Sequence, residues 1–250
     1  MGKAGRVSHV LPLARPFVSG LYGALTASRA AARTNAREAP PGQIACRRFH
    51  GSLRLFKAIL TYAPDAAIPL HRDVHAVLPQ RPSPNARRIE VDASPWGGGG
   101  VLFEDMQPTC WFAIAWHRST APSKFGTVIG DSAWQTFYEN LALYISVLLW
   151  ALPSSATLIL GDNTGALQEA LDLKGRGPLL QLSRELSVLR ARRSLWLHVS
   201  HLYGEANTAA DALSRLEAPE DQRKPFPAAA LGDARESEVP PLETIWAIDG

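Results

Sequence analysis

The middle of the chain, residues 86–216, alternates short apolar runs with longer stretches in which apolar residues recur every three or four positions. The short runs, bounded by glycine, proline and polar residues, predict β-strands, and the longer stretches predict helices. Five strands are predicted: RRIEVDAS at 87–94, GGVLF at 99–103, CWFAIAW at 110–116, ATLILGDN at 156–163 and SLWLHVSHLY at 194–203.

Four helices are predicted between and after these strands: WQTFYENLALYISVLLWAL at 134–152, TGALQEAL at 164–171, PLLQLSRELSVLRARR at 178–193 and NTAADALSRL at 207–216. Pro153 is expected to end the first helix, and Asn207 is placed to cap the last. Three meandering strands followed by helical crossovers are typical of an α/β fold. We therefore expect a five-stranded mixed sheet flanked by helices on both sides.

The two flanking zones differ from this middle zone in composition. Residues 1–85 are rich in Ala, Arg and Pro, and their helical spacing is broken by Pro12, Pro16 and Gly20, which predicts short helices. An Arg-rich, acid-poor start is also typical of an organelle transit peptide. Residues 217–250 are rich in Pro, Ala and acids, and this composition predicts a mostly disordered tail.

Charge is distributed unevenly, although the whole chain carries only +3. Residues 1–85 hold twelve Lys/Arg against three acids, residues 86–216 hold eleven against twelve, and residues 217–250 hold three against eight. A basic front zone fits contact with a polyanion such as nucleic acid. Charged residues that merely keep the segment soluble are the alternative interpretation.

Two whole protein classes are disfavoured by the sequence. Apolar runs do not reach the roughly 18 residues that a membrane span requires, so no contact with a membrane is expected. Cys46 and Cys110 are the two cysteines in 250 residues, which is too few for a disulfide framework. A reducing compartment, cytoplasmic or nuclear, is therefore expected.

Four acids occupy positions that a folded sheet could bring together. Asp92 and Asp162 end two predicted strands that a helical crossover should make parallel, so both should emerge at the same edge of the sheet. Glu139 lies early in the helix between them, and Asp211 begins the last helix. Each acid alone has an ordinary explanation, as a turn residue, a solvated helix position or a partner of the helix dipole.

Four ordered blocks, VDASPWGGGGVL, FYENLALYISVLLWA, LILGDNTGALQEAL and HLYGEANTAADALSRL, cover about residues 86–216. They resemble the ribonuclease H domain of gypsy-like and DIRS-like retroelement reverse transcriptases. The resemblance implies a ribonuclease H-like fold and a metal-binding quartet of Asp92, Glu139, Asp162 and Asp211. It also implies endonucleolytic cleavage of RNA in RNA–DNA hybrids with two Mg²⁺ or Mn²⁺ ions, which activate water and stabilise the leaving oxygen.

Further roles follow from the same resemblance. His201, ten residues before Asp211, resembles a histidine that assists proton transfer or product release in cellular and some retroviral ribonucleases H and that many gypsy-like elements lack. An exposed histidine at the end of a strand is the alternative interpretation. Contacts to phosphates are expected from five basic residues, with a solvated helix face and loop as the alternative: Lys174, Arg176, Arg190, Arg192 and Arg193. The run GGGG at 97–100 lacks the helix and Lys-Ser/Thr of a phosphate loop, so we expect a tight turn beside the nucleic-acid backbone.

The front zone resembles the segment that follows the polymerase thumb in DIRS-like reverse transcriptases, through GRVSHVLPLARPFVSGLYGAL. Residues 1–85 are thus interpreted as a basic helical remnant of the thumb or connection, and the transit-peptide interpretation takes second place. The polymerase palm is absent from this sequence, which is interpreted either as a fragment of a longer polyprotein or as a shortened or decayed copy. A separate polymerase domain is a candidate partner. The alternative function is a catalytically silent, nucleic-acid-binding connection module, against which the presence of all four acids argues.

Overall fold

The computed structural model describes residues 14–18, 21, 50, 52–53, 82–119, 122 and 125–245. The chain divides into two compact units, Met1–Asp73 and Val74–Gly250. In the first unit, residues 14–18 form a helical turn, and the Ser52 hydroxyl donates a hydrogen bond to the carbonyl of buried Phe17. The remaining predicted helices of the 1–85 zone lie outside the described residues.

The second unit contains a mixed sheet, which has six strands in the described part of the chain. They are β1 (Arg87–Ala93), β2 (Gly97–Glu104), β3 (Gln107–Ala115), β4 (Ala156–Gly161), β5 (Trp196–His201) and β6 (Arg235–Glu236). Their spatial order is β5-β4-β1-β2-β3-β6. The first three strands form an antiparallel meander, and β4 and β5 continue the sheet parallel to β1. The predicted mixed α/β sheet is confirmed, but the predicted count of five strands is too low.

Four helices of the described residues lie close to their predicted bounds: α1 (Gln135–Trp150), α2 (Thr164–Asp172), α3 (Pro178–Arg192) and α4 (Thr208–Ser214). A short further helix, α5 (Ala228–Leu231), contacts β3. Helices α1 and α4 both contact β1 and β2, and α2 and α3 pack against α1. No helix in the described residues is long and apolar enough to cross a membrane.

Helix α1 forms the centre of the core because nearly all of its side chains from Phe137 to Val147 are buried. It ends at Trp150, two residues earlier than predicted, and Ala151 is extended. The residue before a proline avoids helical backbone angles, so Pro153 already restricts Leu152. Glu139 on this helix is only 6% exposed, which rules out the solvated polar stripe that was one interpretation of its position.

The four glycines at 97–100 lie inside β2 rather than in the tight turn that the sequence predicted. A Cβ at Gly99 would lie 2.5 Å from the Cβ of Leu213 on α4, whereas a Cβ at Gly98 would lie 2.6 Å from the Trp116 ring. Successive strand residues point to opposite faces, so helix α4 and Trp116 approach β2 from opposite sides. Consecutive glycines are therefore a packing requirement of this strand, which propensity alone does not reveal.

Residues 217–245 contact the sheet and its helices in the structure, whereas composition predicted a mostly disordered tail. Strand β6 pairs with β3, and Leu231 packs against Val101 and Leu213. The Trp111 indole donates a hydrogen bond to the Ala234 carbonyl at 3.2 Å. A few apolar residues of this segment contact residues that are distant in the sequence and hold the segment against the sheet. The average composition of the segment does not reveal these contacts.

We expect Gly99→Ala to lower the free energy of unfolding by about 2 kcal/mol or more, since overpacking of a tight contact costs this much. Gly161→Ala is the matched control within a strand, because its Cβ would meet nothing closer than 3.4 Å. Urea unfolding of both variants beside the wild type measures the difference. Equal stability of Gly99→Ala and Gly161→Ala would show that α4 does not lie this close to β2.

Candidate metal centre

Three of the four predicted acids, Asp92, Glu139 and Asp162, meet at one edge of the sheet. Each offers a carboxylate oxygen, and these oxygens lie within 4.8 Å of one another. Strands β1 and β4 are parallel neighbours, so Asp92 near the end of β1 and Asp162 directly after β4 emerge side by side. Glu139 reaches the same place from the early part of α1.

Asp92 is nearly enclosed, with 4% of its surface exposed. Its Oδ2 accepts a hydrogen bond from the Ser214 hydroxyl at 2.7 Å. The pKa of Asp92 is raised to about 7, mainly by burial; the negative charges of Asp162 and Asp211 add to the rise, and the Ser214 hydrogen bond and the charge of Arg215 oppose it. The raised pKa means that this carboxylate lacks a full compensating positive charge.

Glu139 shares this environment. The Gln135 side-chain amide donates to Glu139 Oε1 at 2.8 Å and also to the Ala93 carbonyl. Burial raises the pKa of Glu139 well above its ordinary value, and the charges of Asp92 and Asp162 add to the rise while the bond from Gln135 opposes it. Gln135 thereby ties the start of α1 to the end of β1.

Asp162 forms the exposed side of the cluster. The turn after β5 borders it, because a Cβ at Gly204 would lie 3.3 Å from Asp162 Oδ2. His201 is exposed at the end of β5 and pairs in register with Gly161. Its ring packs edge-on against the Tyr203 ring, with 4.9 Å between the ring centroids. The residue predicted to assist proton transfer thus lies in the strand beside the one that presents Asp162.

Asp211 lies near this cluster, as its effect on Asp92 shows, but does not belong to the group of three. Its Oδ1 accepts a hydrogen bond from Arg215 Nε at 2.8 Å, and its Oδ2 is paired with Lys224. The structure therefore presents three clustered acids and a fourth whose carboxylate is held in two ion pairs.

The predicted phosphate-binding residues are not equivalent in the structure. Lys174, Arg176 and Arg192 are exposed, and Lys174 pairs with Asp172 at 3.0 Å. Arg190 donates to the Ala170 carbonyl at 3.1 Å, and Arg193 donates to the Leu148 carbonyl at 2.8 Å. The last two thus have a structural use in joining helices, whatever else they contact.

Several residues around the acids were not expected from the sequence. Asn207 makes no side-chain cap on α4, and its Nδ2 instead donates to the Val91 carbonyl at 3.0 Å. Ser214 contacts Asp92, Gln135 contacts Glu139, and Lys224 contacts Asp211. The asparagine and the serine lie inside the quoted block NTAADALSRL, but no periodicity in that block indicates what they touch.

The donor set fits a divalent cation such as Mg²⁺ or Mn²⁺, which prefers carboxylate oxygens. Three clustered carboxylates whose negative charges are not fully compensated repel one another, so they do not stabilise the fold by themselves. A bound cation would turn this repulsion into attraction to the metal. The structure thus supports a metal site built from Asp92, Glu139 and Asp162 and leaves open which metal it binds. Neither protein-family models nor curated proteins give a match to this chain.

Metal-free stability should depend on pH through Asp92. Its pKa is about 7 in the folded protein and near its ordinary 3.8 when unfolded, so the folded state binds more protons between these values. This stabilising contribution is complete below about pH 4 and is lost as the pH rises through about 7. The free energy of unfolding of Asp92→Asn, relative to that of the wild type, should therefore increase by up to about 4 kcal/mol between pH 4 and 8. Urea unfolding in the presence of a chelator measures this difference.

Saturating Mn²⁺ provides the control for this experiment, because a cation on the carboxylates should stabilise the wild type at pH 8 more than Asp92→Asn. A stability difference between the two proteins that stays constant across the pH range would contradict the raised pKa of Asp92.

Proposed function

We propose that this chain is a ribonuclease H of the retroelement type, which cleaves the RNA strand of RNA–DNA hybrids with the help of divalent metal ions. The observation that carries the proposal is the convergence of Asp92, Glu139 and Asp162 at one edge of the sheet. These residues lie in the first three of the four blocks that resemble the family. A mixed sheet with flanking helices is compatible with the ribonuclease H-like fold that the proposal requires.

In this proposal the three acids hold the metal, and Asp162, as the exposed member, faces the substrate. Mg²⁺ or Mn²⁺, two ions in the full site, would activate water and stabilise the leaving 3′ oxygen. Asp211 would complete the ligand set once its pairs with Arg215 and Lys224 open. His201, exposed at the end of the strand beside β4, would move a proton to or from the product. The ribose 2′-hydroxyl would distinguish RNA from DNA.

The phosphate contacts of the hybrid are assigned to the exposed Lys174, Arg176 and Arg192, and the carbonyl-bound Arg190 and Arg193 take a smaller share. A reverse transcriptase polymerase domain would supply hybrids as they form. The basic zone 1–85 would then contact either that domain or the nucleic acid.

A silent nucleic-acid-binding module is the second candidate, and one observation favours it. Both oxygens of Asp211 are engaged by cationic side chains, so the fourth acid is not free for metal as it stands. Purified protein incubated with Mg²⁺ or Mn²⁺ and with hybrid, duplex DNA or duplex RNA separates the two functions. Selective loss of the RNA strand in the hybrid supports the nuclease, and hybrid binding without cleavage under either metal supports the silent module.

Asp162→Asn should reduce hybrid cleavage at least about 100-fold, since it removes one carboxylate from the metal site. Hybrid affinity measured without metal should stay equal or increase, because one charge that repels the phosphates is gone. Asp233→Asn makes the same chemical change at an exposed position outside the cluster and should leave cleavage unchanged. Wild-type cleavage rates in Asp162→Asn would remove Asp162 from the ligand set.

A further inference from the structure

The buried hydroxyl of Ser214 is a neighbour of the acids that the proposed function does not use. Ser214 is the last residue of α4 and is 1% exposed. Its Oγ lies 2.7 Å from Asp92 Oδ2 and 3.0 Å from the Asp211 carbonyl. A hydroxyl has one proton to donate, and the carboxylate is the closer and the charged acceptor, so the proton goes to Asp92.

Ser94 fixes Ser214 in turn. Its hydroxyl, fully buried, donates to the Ser214 carbonyl at 2.7 Å. Ser94 Oγ in turn accepts hydrogen bonds from the backbone N–H groups of Trp96 and Gly97, both at 3.2 Å. Ser94 follows Asp92 by two residues, so the turn after β1 binds the end of α4 while α4 binds the acid on β1.

The glycine run makes this arrangement sterically possible. A Cβ at Gly97 would lie 2.9 Å from the Ser214 carbonyl oxygen, and a Cβ at Gly99 would lie 2.9 Å from the Ser214 backbone nitrogen. Larger residues at either position would push the end of α4 away from β2 and lift the hydroxyl off Asp92. The glycines of VDASPWGGGG and the serine of ADALSR are therefore parts of one contact.

We propose that Ser214 is a positioning residue, whose hydroxyl fixes the rotation of the Asp92 carboxylate so that Asp92 faces Glu139 and Asp162 as a metal ligand. The proposal rests on the metal site of the proposed function. Without this bond a buried carboxylate is free to turn, and part of its orientation must be restored each time a cation binds. Hydrogen bonds of this kind to a ligating carboxylate commonly change metal affinity 10-fold to 100-fold.

The test is a calorimetric Mn²⁺ titration of the full chain without nucleic acid. Ser214→Ala should raise the Kd for Mn²⁺ at least about 10-fold. Ser146→Ala is the matched control, because Ser146 is equally buried and donates to the Leu143 carbonyl rather than to an acid. It should bind Mn²⁺ like the wild type. Ser214→Thr keeps the hydroxyl and should recover most of the affinity.

Thermal unfolding of each variant shows whether the variant is folded, and thereby distinguishes a loss of Mn²⁺ affinity caused by misfolding from one caused by the lost hydrogen bond. Should Ser214→Ala fail to fold, Ser94→Ala decides instead, since it keeps the Ser214 hydroxyl but removes its anchor and should weaken Mn²⁺ binding several-fold. Folded Ser214→Ala, or failing that folded Ser94→Ala, with wild-type affinity overturns the proposal. Hybrid cleavage by the wild type, measured in parallel, distinguishes failure of this proposal from failure of the proposed function. If the wild type cuts hybrid and Ser214→Ala binds Mn²⁺ with wild-type affinity, only the positioning role of Ser214 is refuted.

Discussion

The burial of carboxylates that lie close to one another is the constraint around which this structure is arranged. Asp92 and Glu139 are both less than 10% exposed. Burial is the main cause that raises the pKa of each, and the charge of Asp162 adds to the rise at both. The charge of Asp92 also raises the pKa of Glu139. Such a cluster does not form by itself. Parallel pairing of β1 with β4 and the packing of α1 on β1 hold the acids together. The hydrogen bonds from Gln135 and Ser214 relieve only part of the cost.

Much of the architecture could be predicted from local pattern. Helix α1 is long and apolar, β4 is a continuous apolar run, and the helical crossover between β1 and β4 dictates that they run parallel. The convergence of Asp92, Glu139 and Asp162 follows from that connectivity, since strand ends at one edge of a sheet are neighbours.

What the sequence did not reveal depends on contacts between residues far apart in the chain. The glycines of β2 suggested a turn because the helix that needs their missing side chains lies more than a hundred residues later. Asn207 has the sequence position of a helix cap, yet its amide reaches the Val91 carbonyl. Asp211 was expected to act only as a metal ligand, but its carboxylate pairs with Lys224. Lys224 belongs to a segment that composition predicted to be disordered.

The short strand β6 has a consequence for the outer edge of the sheet. Strand β3 would otherwise present a row of unpaired backbone groups at that edge, and such rows recruit strands from other molecules. Here β6 pairs with part of β3 and places two charged, exposed residues, Arg235 and Glu236, outermost. A fragment cut at residue 216 would uncover this edge. The backbone groups of Cys110 and Trp111 on β3 would then be open to pairing with a strand of another molecule, which the segment after α4 prevents at this position.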